Sequence, residues 1–256
     1  MRDYLSEIEQ ASARDPEQRA RELSRRELPK RFYKKAEAAE IAGGYAIHLD
    51  GRPVKTPSKS TLTLPSAVLA EAVAAEWEAQ EKEINPGAMP LTRIANSAQD
   101  AVSQKFAEVA DEITRFLGND AVCYRADEPE TLVERQTRIW DPVLDWAGQE
   151  LGARFVLVEG IIHKEQPDAL LKAFRTRLSD LTALQLAAFH TATTLMGSAV
   201  LAFAVLGEHL TADEAWSAAF IEEDWNIERW GEDAEAAKLR SYKRSEFNAA
   251  VLVLKS

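Results

Sequence analysis

The pattern of apolar and polar positions changes character once, near residue 65. From Arg31 to Thr63 apolar residues come in short alternating runs bounded by turn residues, the signature of strands. Tyr45–Leu49 and Arg52–Thr56 flank Asp50-Gly51, a two-residue turn whose tolerance of positive φ favours a hairpin. Gly43-Gly44 marks an earlier turn, after a strand expected around Arg31–Ala38, and Ser60–Leu64 adds another short strand. Pro53 carries no amide hydrogen, so its strand should present a free edge there. These pieces predict a small antiparallel sheet.

After Leu64-Pro65 the period becomes helical. Ser66 is placed to cap a helix from Ala67 to about Glu83, with Val68, Leu69, Ala72, Val73 and Trp77 near one stripe. Asn85-Pro86-Gly87 ends it. A second helical run enters at Met89-Pro90 and continues through Ile94, Ala98, Val102, Phe106, Val109 and Ile113. Further helices are expected over Thr131–Trp140, from Asp141-Pro142 to Gly152, and over Pro167–Ser179, Thr182–Leu206, Thr211–Arg229 and Asp233–Leu252. Phe155–Ile162 is the extended exception, and Thr211 with Glu214 fits a capping box. The expected fold is α+β. A polar helical arm (residues 1–30) leads into a β-rich N-terminal domain with one helix (31–95) and then a larger helical C-terminal domain (96–256).

Charge refines this division. The 256 residues hold 31 Lys+Arg against 42 Asp+Glu, a net of −11. Residues 1–95 carry 15 acids and 15 bases, so the whole excess lies in 96–256. A chain that acidic has no general footing on nucleic acid, whose phosphates need a basic patch, and little to hold it on an anionic membrane surface. In the first thirty residues acids match bases and no apolar core occurs, unlike a transit or secretory peptide, which fits a bacterial cytoplasm or a processed matrix protein. One cysteine, Cys123, permits no internal disulfide. The stretch from Leu181 to Gly207 lacks Asp, Glu, Lys and Arg and would reach ~40 Å as one helix. Its scattered threonines, Gln185 and His190, and its lack of a basic flank, make it the central helix of a bundle rather than a membrane span.

Catalytic and cofactor signals are missing. His48, His163, His190 and His209 lack the i, i+3 or i+4 spacing that places metal ligands on one helix face. No phosphate-binding loop, dinucleotide fingerprint or nucleophile elbow occurs. Neither a metal nor a cofactor is expected. What stands out is Ile221–Glu235, with seven carboxylates and one arginine. On a helix Glu222, Asn226 and Trp230 fall at i, i+4 and i+8, a carboxylate, an amide and an indole on one face. The plain alternative is a solvated acidic surface with Trp225 and Trp230 tucked into the core.

This tail resembles the signature of the assembly chaperones specific for the α subunit of the F1 sector of ATP synthase. The residues concerned are Glu222-Glu223-Asp224-Trp225-Asn226 followed by Trp230-Gly231. Other segments match that family in order: Asn85-Pro86 with Met89–Asn96, Cys123–Pro129, Gln136, Trp140-Asp141-Pro142, Gly197-Ser198, and the early Arg31-Phe32-Tyr33. Gly231-Glu232-Asp233 is the form found in bacterial members. Asn226 departs from the family's usual Gln, keeping the amide with a shorter reach. The resemblance implies a non-enzymatic chaperone that binds the unassembled α subunit and protects its β-facing surface, without cofactor. It places partner binding on Glu222, Glu223, Asn226 and Trp230, with the functionally sensitive acid at Glu222. Two other readings of the residues stay open here: an acid/base hydrolase using Glu222 with Glu223 or Asp224, and a regulatory scaffold with no specific client.

Overall fold

A computed structural model of the chain describes residues 28–159 and 164–256. The polar arm expected over residues 1–30 therefore lies almost wholly outside the described residues. An N-terminal antiparallel sheet precedes a mostly helical region, the α+β order expected. The chain divides into two compact units, the first ending at Lys105 and including Lys255 and Ser256, the second running from Phe106 to Leu254.

In the first unit β1 (Ala36–Ile41) pairs antiparallel with β2 (Gly44–Leu49), from Ala36 opposite Leu49 to Ile41 opposite Gly44. The other side of β2 is shared by two short strands, β3 (Arg52–Pro53) and β4 (Thr63–Leu64). Asp50 and Gly51 both take positive φ, as the hairpin between β2 and β3 requires, and Pro53 lies on an edge. Gly44 is essential for a different reason: a Cβ there would lie 2.5 Å from the Leu64 carbonyl oxygen. The first strand begins five residues later than expected. Residues before it are held otherwise, with the Arg31 amide donating to Lys82 O and Ile84 N to Pro29 O.

That pairing also explains why α1 (Ala67–Glu78) stops short of Glu83. The chain from Gln80 to Ile84 leaves the helix to run beside Pro29–Arg31, and Arg31 Nη1 donates to the Glu78 carbonyl at 2.9 Å. Ser66 caps α1 as expected. Its buried stripe is Leu69, Ala70, Val73 and Ala74, packed on β1 and β2, whereas Val68 is exposed. Glu76 of α1 holds the next helix, α2 (Pro90–Ser97), by accepting from the Leu91 and Thr92 amides at 2.7 and 2.8 Å. The long second helix of the sequence reading is in fact interrupted. A π turn over Ala98–Val102 and a break at residues 103–105 separate α2 from α3 (Phe106–Leu117). The π turn aims Gln99 at the sheet, where its amide accepts from Thr63 N and donates to Thr61 O.

In the second unit β5 (Tyr124–Arg125) and β6 (Val158–Glu159) form a two-stranded parallel ladder. Of the extended segment expected over Phe155–Ile162, only Val158–Glu159 is a strand, and 160–162 lie outside the described residues. Two expected helices prove to be one, α4 (Glu130–Leu151), running through Pro142. Proline costs a helix one amide donor. Here the carbonyl that loses it belongs to the exposed Arg138, while Trp140, Val143 and Leu144 on either side are buried. Packing outweighs the defect.

After α5 (Asp168–Ser179) the uncharged stretch is the opposite case, two helices rather than one. α6 (Ala183–Met196) ends at Gly197 with φ +67, and Ser198 caps α7 (Ala199–Leu206). A buried carboxylate fixes the break: Asp120 accepts from Val122 N at 3.2 Å and Val200 N at 2.9 Å, and from the Ser198 hydroxyl. Burial raises its pKa to about 6 against these hydrogen bonds. Beside it Cys123 is buried, and desolvation pushes its thiol up. Ala199 to Val205 are all buried, and α3, α4, α6, α8 (Ala212–Ala219) and α10 (Ala234–Leu254) pack around them. α7 is thus the hub of the unit. No helix among the described residues is long and apolar enough to cross a membrane.

Candidate functional site

The acidic tail forms a helical hairpin. The expected helix over Thr211–Arg229 is broken at Phe220, whose φ of −110 and ψ of 24 leave the helical region. The capping box of Thr211 and Glu214 starts the first piece, α8. The second, α9 (Ile221–Trp230), carries Glu222, Glu223 and Asp224 in its first turn, where the positive end of the helix dipole favours carboxylates. Gly231, at φ +87, turns the chain, and Asp233 caps α10 by accepting from the Glu235 and Ala236 amides.

Helical phase decides which residues stay together. Four residues advance about 400°, so each i+4 step drifts about 40° round the helix. Over two such steps Glu222 and Trp230 part company. Glu222 faces α4, where its Oε1 accepts from Gln136 Nε2 at 2.8 Å. Gln136 is fully buried, and its own Oε1 accepts from the Ala126 amide at 2.9 Å. Trp140, one turn on, donates to the Ala218 carbonyl at 2.8 Å. Arg125 lies over the Trp140 ring and binds Asp141 at 2.6 Å.

Glu223, Asn226 and Trp230 face α10 instead. With Phe220, Ile227, Ala236, Leu239 and Arg240 they enclose a cleft of about 260 Å³ between α9 and α10. Arg240 is committed within the hairpin, bridging to Asp224 at 2.6 Å and Glu223 at 3.6 Å and lying over the Phe220 ring. Trp225 is in the core, with Arg229 stacked 3.5 Å from its ring centre. Trp230 is not: it is 73% exposed, edge-on to Trp225 at 5.6 Å. The reading that tucks both tryptophans away therefore fails for one of them.

Of the four residues expected to bind a partner, the structure brings three together and turns Glu222 to a different neighbour. Gln136 contacts Glu222, and Arg240 contacts Glu223. Gln136 and Arg125 sit in motifs visible in the sequence, but the contact of Gln136 with Glu222, 86 positions away, is not. The carboxylates do not form an acid/base pair, since Glu222 is held by an amide and Asp224 by a guanidinium on opposite sides of α9. Among the described residues no group of three His, Cys, Asp or Glu is placed to hold a metal.

Comparison with known proteins adds the rest. A model of the ATP12 chaperone protein family matches residues 30–148. The mitochondrial protein atp12 of Schizosaccharomyces pombe is 27% identical over 237 residues, spanning 87% of this chain and 81% of its own. The crystal structure of Atp12 from Paracoccus denitrificans is 37% identical with a TM-score of 0.81, covering 89% of this chain and 97% of that one. The Atu1473 protein of Agrobacterium tumefaciens is 47% identical with a TM-score of 0.86, covering 94% of this chain and 91% of that one.

Proposed function

The chain belongs to the ATP12 chaperone family, and from that premise we propose that it is an assembly factor for F-type ATP synthase. It binds the unassembled α subunit of the F1 sector and covers the surface destined for the β subunit until β takes its place. The task needs no nucleophile, metal or nucleotide. It needs an apolar anchor for an exposed partner surface and charge that disfavours wrong partners.

The observation that carries this reading is the placement of Trp230, an aromatic three-quarters exposed beside a cleft with carboxylates on its rim. Burying such a residue at an interface is a common source of binding energy. Partner contact is assigned to Glu223, Asn226 and Trp230 around the cleft, and to Glu222 on the neighbouring face of α9.

Titration with purified α subunit tests the proposal. An equimolar complex and suppressed aggregation of the α subunit, both without ATP, are expected. Absence of both rejects it.

A further inference from the structure

The cleft between α9 and α10 has a polarity that its lining makes explicit. Its walls are apolar, built from Phe220, Ile227, Ala237 and Leu239. At about 260 Å³ it falls below the ~300 Å³ at which pockets for small organic ligands begin. A cavity of ~150 Å³ already holds a benzene ring, so one large side chain fits with little room to spare.

Charge differs between its two ends. Because Arg240 reaches Asp224 and the Phe220 ring, the hairpin is antiparallel and the cleft runs from the Gly231 turn to Phe220 and Lys243. Trp230, Glu232 and Asp233 sit at the turn end and Lys243 at the other. Glu223 and Arg240 neutralise each other beside Phe220. Asp233 is occupied as a helix cap, whereas Glu232, Lys243 and the Asn226 amide have no partner among the described residues. An exposed indole face beside a free carboxylate is a seat for a guanidinium or ammonium, since ring and charge attract the same cation.

We propose that this cleft seats an apolar side chain of the partner, with an arginine or lysine close by in its sequence lying against Trp230 and Glu232. The unpaired Lys243 repels a second cation at the far end and so sets the direction of the bound segment. Asn226 supplies a donor and an acceptor for its backbone. The inference rests on the reading of the chain as a chaperone of the α subunit and names the chemistry that the subunit must present.

The test uses the full chain and purified α subunit, with affinity measured at low and moderate salt. Trp230→Ala and Glu232→Lys alter exposed side chains, and circular dichroism checks that both variants stay folded. Each should weaken binding at least tenfold. Glu235→Lys changes net charge equally but lies outside the cleft lining, and it should weaken binding less than threefold. A photocrosslinking residue at Ala236 should attach to an α-subunit segment holding an apolar residue within a few positions of Arg or Lys. If wild type binds but Trp230→Ala and Glu232→Lys bind equally well, the cleft proposal is overturned while the chaperone reading stands. The same holds if Glu235→Lys matches Glu232→Lys, because bulk charge then explains the effect. If wild type forms no complex, both readings fall.

Discussion

At the residue scale, the polar contacts of two buried side chains, Gln136 and Asp120, lend themselves to measurement. Gln136 is fully buried and gives one amide hydrogen to Glu222. Glu222→Ala strands that donor, and an unsatisfied buried donor costs about 1–3 kcal/mol. Glu222→Gln keeps an acceptor in place and should cost less than about 0.5 kcal/mol. Urea denaturation of the two variants gives the comparison, and equal losses would mean that the hydrogen bond does not matter. Any assembly defect of Glu222→Gln then belongs to the charge and not to folding. Asp120 makes a prediction about pH. Burial raises its carboxyl from 3.8 to about 6, so its contribution to stability is greatest below pH 4 and is lost as pH rises through 6. By pH 7 the loss is about 3 kcal/mol at 1.36 kcal/mol per pH unit. An asparagine amide at the same position does not titrate. The stability of Asp120→Asn relative to wild type should therefore improve from pH 4 to pH 7 by up to about 3 kcal/mol, and a difference independent of pH would refute this.

At the element scale, the same substitution separates two uses of glycine. Gly197→Ala adds a Cβ whose nearest neighbour is the Ala121 methyl at 3.8 Å, so its cost is that of the left-handed backbone alone, about 1–2 kcal/mol. Gly44→Ala drives a Cβ onto the Leu64 carbonyl and should cost more than about 3 kcal/mol, opening the contact between β2 and β4. Thermal melts of the two variants check the order. Elements set by short-range chemistry were legible in the sequence: the Asp50-Gly51 hairpin, the Ser66 cap and the Thr211 box all depend on residues within four positions. The misplaced boundaries share a distant cause. α1 ends early because Pro29–Arg31 captures residues 82–84, and the uncharged stretch breaks where Asp120, 80 residues back from Val200, caps α7. Pro142 reads as a stop because the packing of Trp140 and Leu144 that overrides it has no local signal. At the candidate site the shared face of Asn226 and Trp230 followed from helical phase. The second wall of the cleft did not, since only the turn at Gly231 brings α10 back along α9.

At the scale of the whole molecule, the excess of 11 acids over bases attracts a partner surface that carries the arginine or lysine proposed above. The screening length falls from ~10 Å at 0.1 M salt to ~3 Å at 1 M. Association with the α subunit should slow at least tenfold between about 0.05 and 0.5 M salt while dissociation changes little, which stopped-flow mixing can resolve. An association rate indifferent to salt would make the acidic surface irrelevant to capture. The one sulfhydryl gives the molecule a built-in clock. Cys123 is 1% exposed, its ionisation is suppressed, and it belongs to the unit organised around α7. An alkylating reagent reaches it only in the fraction of time that this unit is open, so the labelling rate divided by that of a free thiol gives the opening equilibrium directly. With no other cysteine in the chain, the reaction is silent towards the sheet-bearing unit. Adding the α subunit to such an experiment would separate a partner that clamps the helical unit shut from one that binds it without restraining its fluctuations.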